Sequence, residues 1–330
     1  MGETILVTGS TGFIGSRLLS LLEKEGVEIK VFLRPESAGA PVSGKIEIIR
    51  GSFTDDEALA GAVRGADRIV HLAGVTKAAD EAGFEAGNVM PVRNLLTAVR
   101  RHNPGLKRFL LVSSLTAAGP ASDGLSGVRE SEQCHPVSAY GRSKLRAEKL
   151  CMEYANDIPV TIIRPPAVYG PGDRDILQVF QMLAKGVLIS AGRTGRQRFS
   201  MIYVDDLLEG ILLAARAEKA VGELYYLTSP CSFSWDDVIA AAQPVLGFSR
   251  LYNVSLPVPL VFLAGTLFGA AGALTGKSPL INRDKANELV QDYWVCSPEK
   301  AERDLGFLAG TPLDKGVAIT IDWYRRKGWM

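Results

Sequence analysis

The run TGSTGFIG (8–15) lies between two segments of different periodicity, and it constrains the fold more than any other stretch. Before it, ETILVTG (3–9) is a short apolar run ending in glycine, the pattern of a buried strand. After it, Phe13, Ile14, Leu18, Leu21 and Leu22 recur at helical spacing as far as Glu25, and Gly26 stops the run. Gly9, Gly12 and Gly15 therefore fall in a strand–turn–helix. In such a turn Gly9 permits the tight reversal. Gly12 lets the backbone approach a pyrophosphate, and Gly15 lets the helix pack close to the strand. The helix N-terminus then offers free N–H groups and the positive end of its dipole to phosphates. The loop is read as a dinucleotide cradle, with Gly9, Thr11, Gly12, Phe13 and Ile14 against the cofactor.

The first half of the chain continues this rhythm. Strands are expected in VEIKVFLR (27–34), KIEIIRG (45–51), DRIVHLAG (67–74), KRFLLVSS (107–114) and PVTIIRP (159–165). Helices are expected from a Thr54/Glu57 capping box to about Val63, from Phe84 to Arg101, and from Ala139 to about Tyr154. Pro91 must kink the second of these or mark its true first turn. Strand alternating with helix predicts an α/β fold: a Rossmann doubly wound parallel sheet with helices on both faces. After Pro165 the rhythm loosens. MIYVDD (201–206) reads as a strand feeding a helix to about Ala217, and LYYLT (224–228) as another strand. Ser234 and Asp237 mark a helix start, and Thr311-Pro312 opens a last helix with proline at the first helical position. The expected division is a nucleotide domain over 1–170, with 199–230 crossing back to it. Residues 171–198 and 231–330 then form a smaller mixed α/β lid over the substrate.

Composition removes several classes. The 330 residues carry 37 Lys+Arg against 36 Asp+Glu, a net charge of +1 that lacks the basic footprint of a nucleic-acid binder. Cys134, Cys151, Cys231 and Cys296 form no C-x-x-C pair, which argues against a zinc ribbon or disulfide scaffold and for a reducing compartment. Three histidines make a His-rich metal site or a His-based hydrolytic triad unpromising, so no metal is expected. No basic-then-apolar leader opens the sequence, so the expected location is cytoplasmic. One stretch stands apart. The 26 residues from Leu251 to Gly276 have no formal charge. A helix from Val258 to Leu274 would be about 25 Å long, against a hydrocarbon core of about 30 Å. Three readings are open for 257–275: an apolar wall of the substrate pocket, a dimer or peripheral membrane contact, or a span. Length and weak flanking disfavour the span.

Two further features point to chemistry. At the end of the second strand an acidic residue would hold a ribose 2′-hydroxyl, whereas an arginine would pair with a 2′-phosphate. The sequence has Arg34 there, which favours NADP over NAD. Tyr140 and Lys144 lie at i, i+4 in SAYGRSKLRAEK, on one side of a helix. Ser113-Ser114 closes the fifth strand at the carboxyl edge of the sheet. Hydride transfer to a carbonyl needs a proton donor beside the oxygen. A nearby ammonium lowers a tyrosine's pKa from about 10, and a serine hydroxyl can hold the substrate oxygen.

With these residues in place, the chain resembles the extended short-chain dehydrogenase/reductases, the NAD-dependent epimerase/dehydratase family. The matching elements are TGSTGFIG (8–15), HLAG (71–74), Asn88 in NVMPVRNLL, VSSLT (112–116), YGRSK (140–144), RPPAVYGPG (164–172) and YVDD (203–206). The resemblance implies that Tyr140 is the general acid/base and that Lys144 lowers its pKa and grips the nicotinamide ribose. It implies that Ser114 orients the substrate oxygen with help from Thr116. Leu72, Ala73 and Gly74 would line the cofactor, and the Pro165–Val168 backbone would meet the nicotinamide. A homodimer is a family expectation.

Departures bear on the substrate. Nucleotide-sugar epimerases usually place Asn where this chain has Ala167, and Arg where it has Phe199. The C-terminal part is similar to the 3β-hydroxysteroid dehydrogenase-like and dihydroflavonol reductase-like branch. An NAD(P)-dependent oxidoreductase acting on a secondary alcohol or ketone of an apolar, lipid-like small molecule is therefore the leading expectation. Arg193, Arg196 and Arg198 pull toward a phosphate-bearing substrate, with Arg193 and Arg198 as candidate contacts. The alternatives are a nucleotide-sugar 4-epimerase or dehydratase with tightly bound NAD, and a non-catalytic NADP-sensing module. The intact Ser114, Tyr140 and Lys144 argue against the last.

Overall fold

The computed structural model describes residues 2–37, 46–192, 195–275 and 282–330, with 270–275 as backbone alone. The first part of the chain folds into β1 (Thr4–Thr8), α1 (Phe13–Glu25), β2 (Glu28–Leu33), β3 (Ile46–Arg50), α2 (Asp56–Val63), β4 (Arg68–His71), α3 (Glu81–Phe84), α4 (Met90–His102), β5 (Arg108–Val112), α5 (Ala139–Glu153) and β6 (Val160–Arg164). Then come β7 (Ala167–Tyr169), α6 (Asp175–Ala184), β8 (Val187–Ala191), β9 (Arg198–Tyr203), α7 (Val204–Arg216) and β10 (Glu223–Tyr226). The chain ends with β11 (Ser232–Phe233), α8 (Trp235–Leu246), β12 (Tyr252–Leu256), α9 (Val258–Thr275), α10 (Arg283–Leu289), β13 (Tyr293–Trp294), α11 (Glu299–Leu305) and α12 (Leu313–Arg326).

Seven strands form one parallel sheet in the order β10-β6-β5-β4-β1-β2-β3. This is the doubly wound sheet that the alternation predicts. Strand order reverses between β1 and β4, and in such sheets a crevice opens there above the carboxyl ends. β1 shows why the fold forms. Alternate side chains of a strand face opposite sides. Ile5 and Val7 join Leu18, Leu19 and Leu22 of α1 and Ile211 of α7 in one core. Leu6 joins Leu59, Leu95, Leu96 and Leu150 from α2, α4 and α5 in the other. The later chain builds a smaller mixed layer, in which β9 pairs with β7, β11 and β13, and β12 pairs with β8. Its own core holds Tyr169, Phe180, Leu183, Val238 and Tyr324.

Several local expectations need correction. The N-cap of α2 is Asp55, whose carboxylate accepts from Glu57 N at 3.1 Å and Ala58 N at 3.0 Å. Thr54 instead bonds to the Ser52 hydroxyl. A carboxylate at the cap is the stronger partner for the dipole's positive end, so the Thr54 box is not made. The path from 84 to 101 is not one regular helix. A π turn at Glu85–Val89 precedes α4, and Pro91 falls in the first turn of α4, where its missing N–H leaves no bond unmade. The 201–206 strand runs from Arg198 to Tyr203, and Val204 already opens α7. Pro312 is the N-cap of α12 rather than its first helical residue.

Candidate active site

The glycine turn sits where strand order reverses. Gly9 has φ +72°, and a Cβ there would come within 2.6 Å of Ala73 N. Ala73 thus stands behind Gly9, its N–H on Thr8 Oγ1 at 3.3 Å. A Cβ on Gly15 would strike the Gly9 carbonyl, which is the close helix–strand approach the spacing predicts. Gly12 is the N-cap of α1 and offers no side-chain cap, so the first N–H groups of the helix stay available. A cleft of about 740 Å³ opens over this turn. Gly9, Thr11, Gly12, Phe13 and Ile14 form one wall. Leu72, Gly74, Pro165 and Val168 face them, with Ser114, Tyr140 and Lys144 at one end. An uncapped helix N-terminus over a glycine turn fits a dinucleotide's phosphates. Arg34 stands just past β2, exposed and outside that wall, its Nε 3.4 Å from a Glu36 carboxylate oxygen. Arg50, the last residue of β3, donates to the carbonyls of Pro35 and Ser37 and so braces the loop behind Arg34.

α5 carries the tyrosine and lysine. Its N-terminus is capped twice. Ser138 Oγ accepts from Gly141 N at 3.0 Å, and Asp284 of α10 accepts from Ala139 N at 2.8 and 3.0 Å. Lys144 is buried and donates to the Val112 carbonyl at 2.7 Å. Burial lowers its pKa to about 8, against the opposing pull of Glu148 one turn along. Glu148 in turn accepts from Ser113 and is paired with buried Arg164 at 2.6 Å. Burial first, and then the Glu288 carboxylate, push the Tyr140 phenol up to about 12, while a hydrogen bond from Ser114 works the other way. Lys144, expected to lower the phenol's pKa, does not figure among the influences on it; burial sets the direction. Ser114 Oγ accepts from Thr116 N at 3.2 Å and Thr116 Oγ1 at 2.9 Å, which leaves its own proton to donate.

Asn88 ties these parts together. Its Oδ1 accepts from Val75 N at 2.8 Å, and its Nδ2 donates to Val75 O and to Ser143 Oγ. The loop after β4 is thereby pinned to the Tyr140 helix.

A second cavity, of about 660 Å³, meets the first at Ser114, Tyr140, Pro166 and Val168. Phe84, Ile176, Val179, Phe199, Met201 and Trp235 make most of its wall apolar. Thr116 lines it, as does Arg198, which lies 3.5 Å from Asp237. Arg193 falls outside the described residues. Sequence reasoning missed the charged part of this wall, which holds Lys77, Lys285 and the buried Glu288 along with Asp173, Asp175, Asp284 and Asp292. No motif marks them. A Lys/Glu pair three apart on a short helix normally reads as solvated surface.

Residues 5–227 match the sequence profile of the NAD dependent epimerase/dehydratase family. A ceramide reductase of Caulobacter vibrioides (strain NA1000 / CB15N) is 30 % identical over 332 residues, covering 99 % of this chain and 96 % of its own length. An N-acetyl-alpha-D-glucosaminyl-diphospho-ditrans,octacis-undecaprenol 4-epimerase of Escherichia coli O157:H7 is 26 % identical, covering 98 % and 96 %. Among solved structures, a UDP-glucuronic acid 4-epimerase from Bacillus cereus in complex with NAD superposes with a TM-score of 0.78 at 23 % identity, covering 98 % and 99 % of the two chains. At that identity the likeness is one of fold.

Proposed function

Because this chain belongs to the NAD-dependent epimerase/dehydratase family and is an NAD(P)-dependent enzyme, we propose that it reduces a ketone on an apolar, lipid-like substrate, with NADPH preferred. The observation that carries this reading is the apolar wall of Phe84, Ile176, Val179, Phe199, Met201 and Trp235 facing Ser114 and Tyr140. Ala167 and Phe199, where nucleotide-sugar epimerases usually place Asn and Arg, support it. The similarity to a ceramide reductase suits a long-chain amide-bearing lipid. Arg34, exposed at the end of β2, suits a 2′-phosphate.

Gly9, Gly12 and the start of α1 would hold the cofactor, whose nicotinamide would supply hydride when bound. The substrate's carbonyl oxygen lies between two hydroxyls. Ser114 donates a hydrogen bond to it. Tyr140 gives up its proton to it as the C–H bond forms, so the carbonyl becomes an alcohol and Tyr140 a phenolate. Lys144, if charged, stabilises that phenolate. A phenol held near 12 is fully protonated at neutral pH, which suits the reductive direction.

A second reading, interconversion of a nucleotide sugar with the cofactor regenerated each cycle, draws on Lys77, Arg198 and Lys285 in the same cavity wall and on the epimerase relative. A substrate panel separates the two. With a long-chain N-acyl α-amino ketone we expect steady consumption of reduced nicotinamide, faster with NADPH than with NADH. If UDP-N-acetylglucosamine is interconverted instead, with no net consumption, the ketone reading is overturned.

A further inference from the structure

The cofactor cleft carries a cation that the glycine turn does not account for. Gly172 packs on Phe13, the first residue of α1, and a Cβ there would lie 3.5 Å from Phe13 Cδ2. Two residues on, Arg174 lines the same cleft, and so does Trp329. The Arg174 guanidinium lies over the Trp329 ring, 4.9 Å from its centre. An indole face holds a guanidinium flat and leaves its N–H edges free to donate. Among the described residues no carboxylate forms an ion pair with Arg174. The carboxylates on either side of it are committed elsewhere. Asp173 caps α6 through Asp175 N at 3.0 Å and Ile176 N at 2.8 Å, and Asp175 Oδ1 lies 4.0 Å from Lys77 Nζ. Lys144, the other cation lining the cleft, is buried and turned onto the Val112 carbonyl.

The platform under Arg174 is fixed. Trp329 N donates to Tyr324 O at 2.9 Å, its carbonyl accepts from Gln181 Nε2 at 2.9 Å, and its ring stacks on Tyr324 with centres 5.9 Å apart. Tyr324 donates in turn to the Asp173 carbonyl at 2.8 Å, so α12 braces both Trp329 and the turn that carries Arg174. An exposed arginine on a lone tryptophan would be surface packing. Here the pair shares a cleft with an uncapped helix N-terminus, the place where a dinucleotide sets its diphosphate. Backbone N–H groups meet that charge from one side, and a flat guanidinium offers a bidentate partner from another. We propose that Arg174, held on Trp329, donates to the diphosphate of the bound dinucleotide and so completes the cradle begun by the start of α1. The diphosphate is common to NADPH and NADH, so this contact adds affinity for both, unlike a contact at the ribose 2′-position. The proposal rests on the reading of this cleft as the cofactor site and is independent of the substrate.

Equilibrium binding to the full chain tests this, with NADPH, NADH and ADP-ribose, which keeps the diphosphate and lacks the nicotinamide. Arg174→Gln should raise all three dissociation constants at least about tenfold and to a similar extent, with thermal unfolding unchanged. Trp329→Leu removes the platform and keeps the charge, and should raise them about two- to fivefold. Trp329 is packed on α12, so the exposed Arg174→Gln decides if Trp329→Leu fails to fold. The proposal is overturned if Arg174→Gln binds all three like wild type, or if it weakens NADPH alone, which would put Arg174 at the 2′-phosphate. It is also overturned if ADP-ribose is held as before while both dinucleotides are weakened, which would put Arg174 at the nicotinamide, or if a folded Trp329→Leu binds like wild type. A wild-type chain that binds none of the three would overturn the cofactor cleft itself, and the proposal with it.

Discussion

Tyr140 and Lys144 stand one helical turn apart, and burial moves both toward their neutral forms, the phenol up to about 12 and the ammonium down to about 8. Lys144 is therefore the group that titrates first as pH rises. Its charged form is the one that steadies a phenolate, so activity should be lost on that limb. We expect kcat/KM for the cofactor, which reports the free enzyme's ionisations, to be flat near neutrality and to fall above about pH 8. Tyr140→Phe should lower kcat by about 10²- to 10⁴-fold while cofactor affinity changes by less than about twofold. A profile limited by a group near 6 or 7 would mean that some other residue carries the proton. That Ser114, Tyr140 and Lys144 line one cleft was legible, because Tyr140 and Lys144 lie at helical spacing and Ser114 closes a strand at the carboxyl edge of the sheet. The pKa directions were not legible. They depend on how much water reaches the turn and on Glu288, which lies far along the chain.

Elements were legible where the physics is local. β1 and α1 fall almost where the apolar periodicities put them, because central parallel strands are continuous apolar runs and α1 is bounded by Gly12 and Gly26. The helix start marked by Ser234 and Asp237 formed, and the structure shows the two closing a capping box. At α2 the expected Thr54 cap was not made, and the residue one position along, Asp55, caps the helix instead. This makes a local test: Asp55→Ala should destabilise the fold by about 1 kcal/mol, whereas Thr54→Ala should change it by less than about 0.5 kcal/mol, read by chemical denaturation. The opposite order would restore the Thr54 box. The elements that close the substrate cavity were less readable. β11 and β13 have two residues each, and β8 and β12 pair with each other across intervening chain. Such strands exist because a distant partner supplies their hydrogen bonds, and no local pattern records that. α10 carries a buried carboxylate and a cap for α5, yet its sequence, RDKANEL, reads as an ordinary polar helix.

At the scale of the whole molecule, a net charge of +1 conceals a strongly uneven distribution. The nucleotide cleft ends on a buried chain of charge, from Lys144 through Glu148 to Arg164 and the Tyr226 hydroxyl, which ties α5 to β6 and β10. Across the junction at Ser114 and Tyr140 the second cavity is mainly apolar, and beyond it α9 is uncharged and bare. The two cavities share Ser114 and Tyr140, together with Thr76, Pro166, Val168, Asp173 and Asp175, so a substrate in one and a cofactor in the other would meet edge to edge there. The most direct test of that arrangement is a label. NADPH carrying deuterium at the transferable position of nicotinamide C4 is incubated with a long-chain N-acyl α-amino ketone, and the product is weighed by mass spectrometry. We expect one deuterium on the new carbinol carbon for each cofactor oxidised, with incorporation about 10²- to 10⁴-fold slower in Tyr140→Phe. Unlabelled lipid, together with interconversion of a nucleotide sugar at constant cofactor redox state, would contradict it.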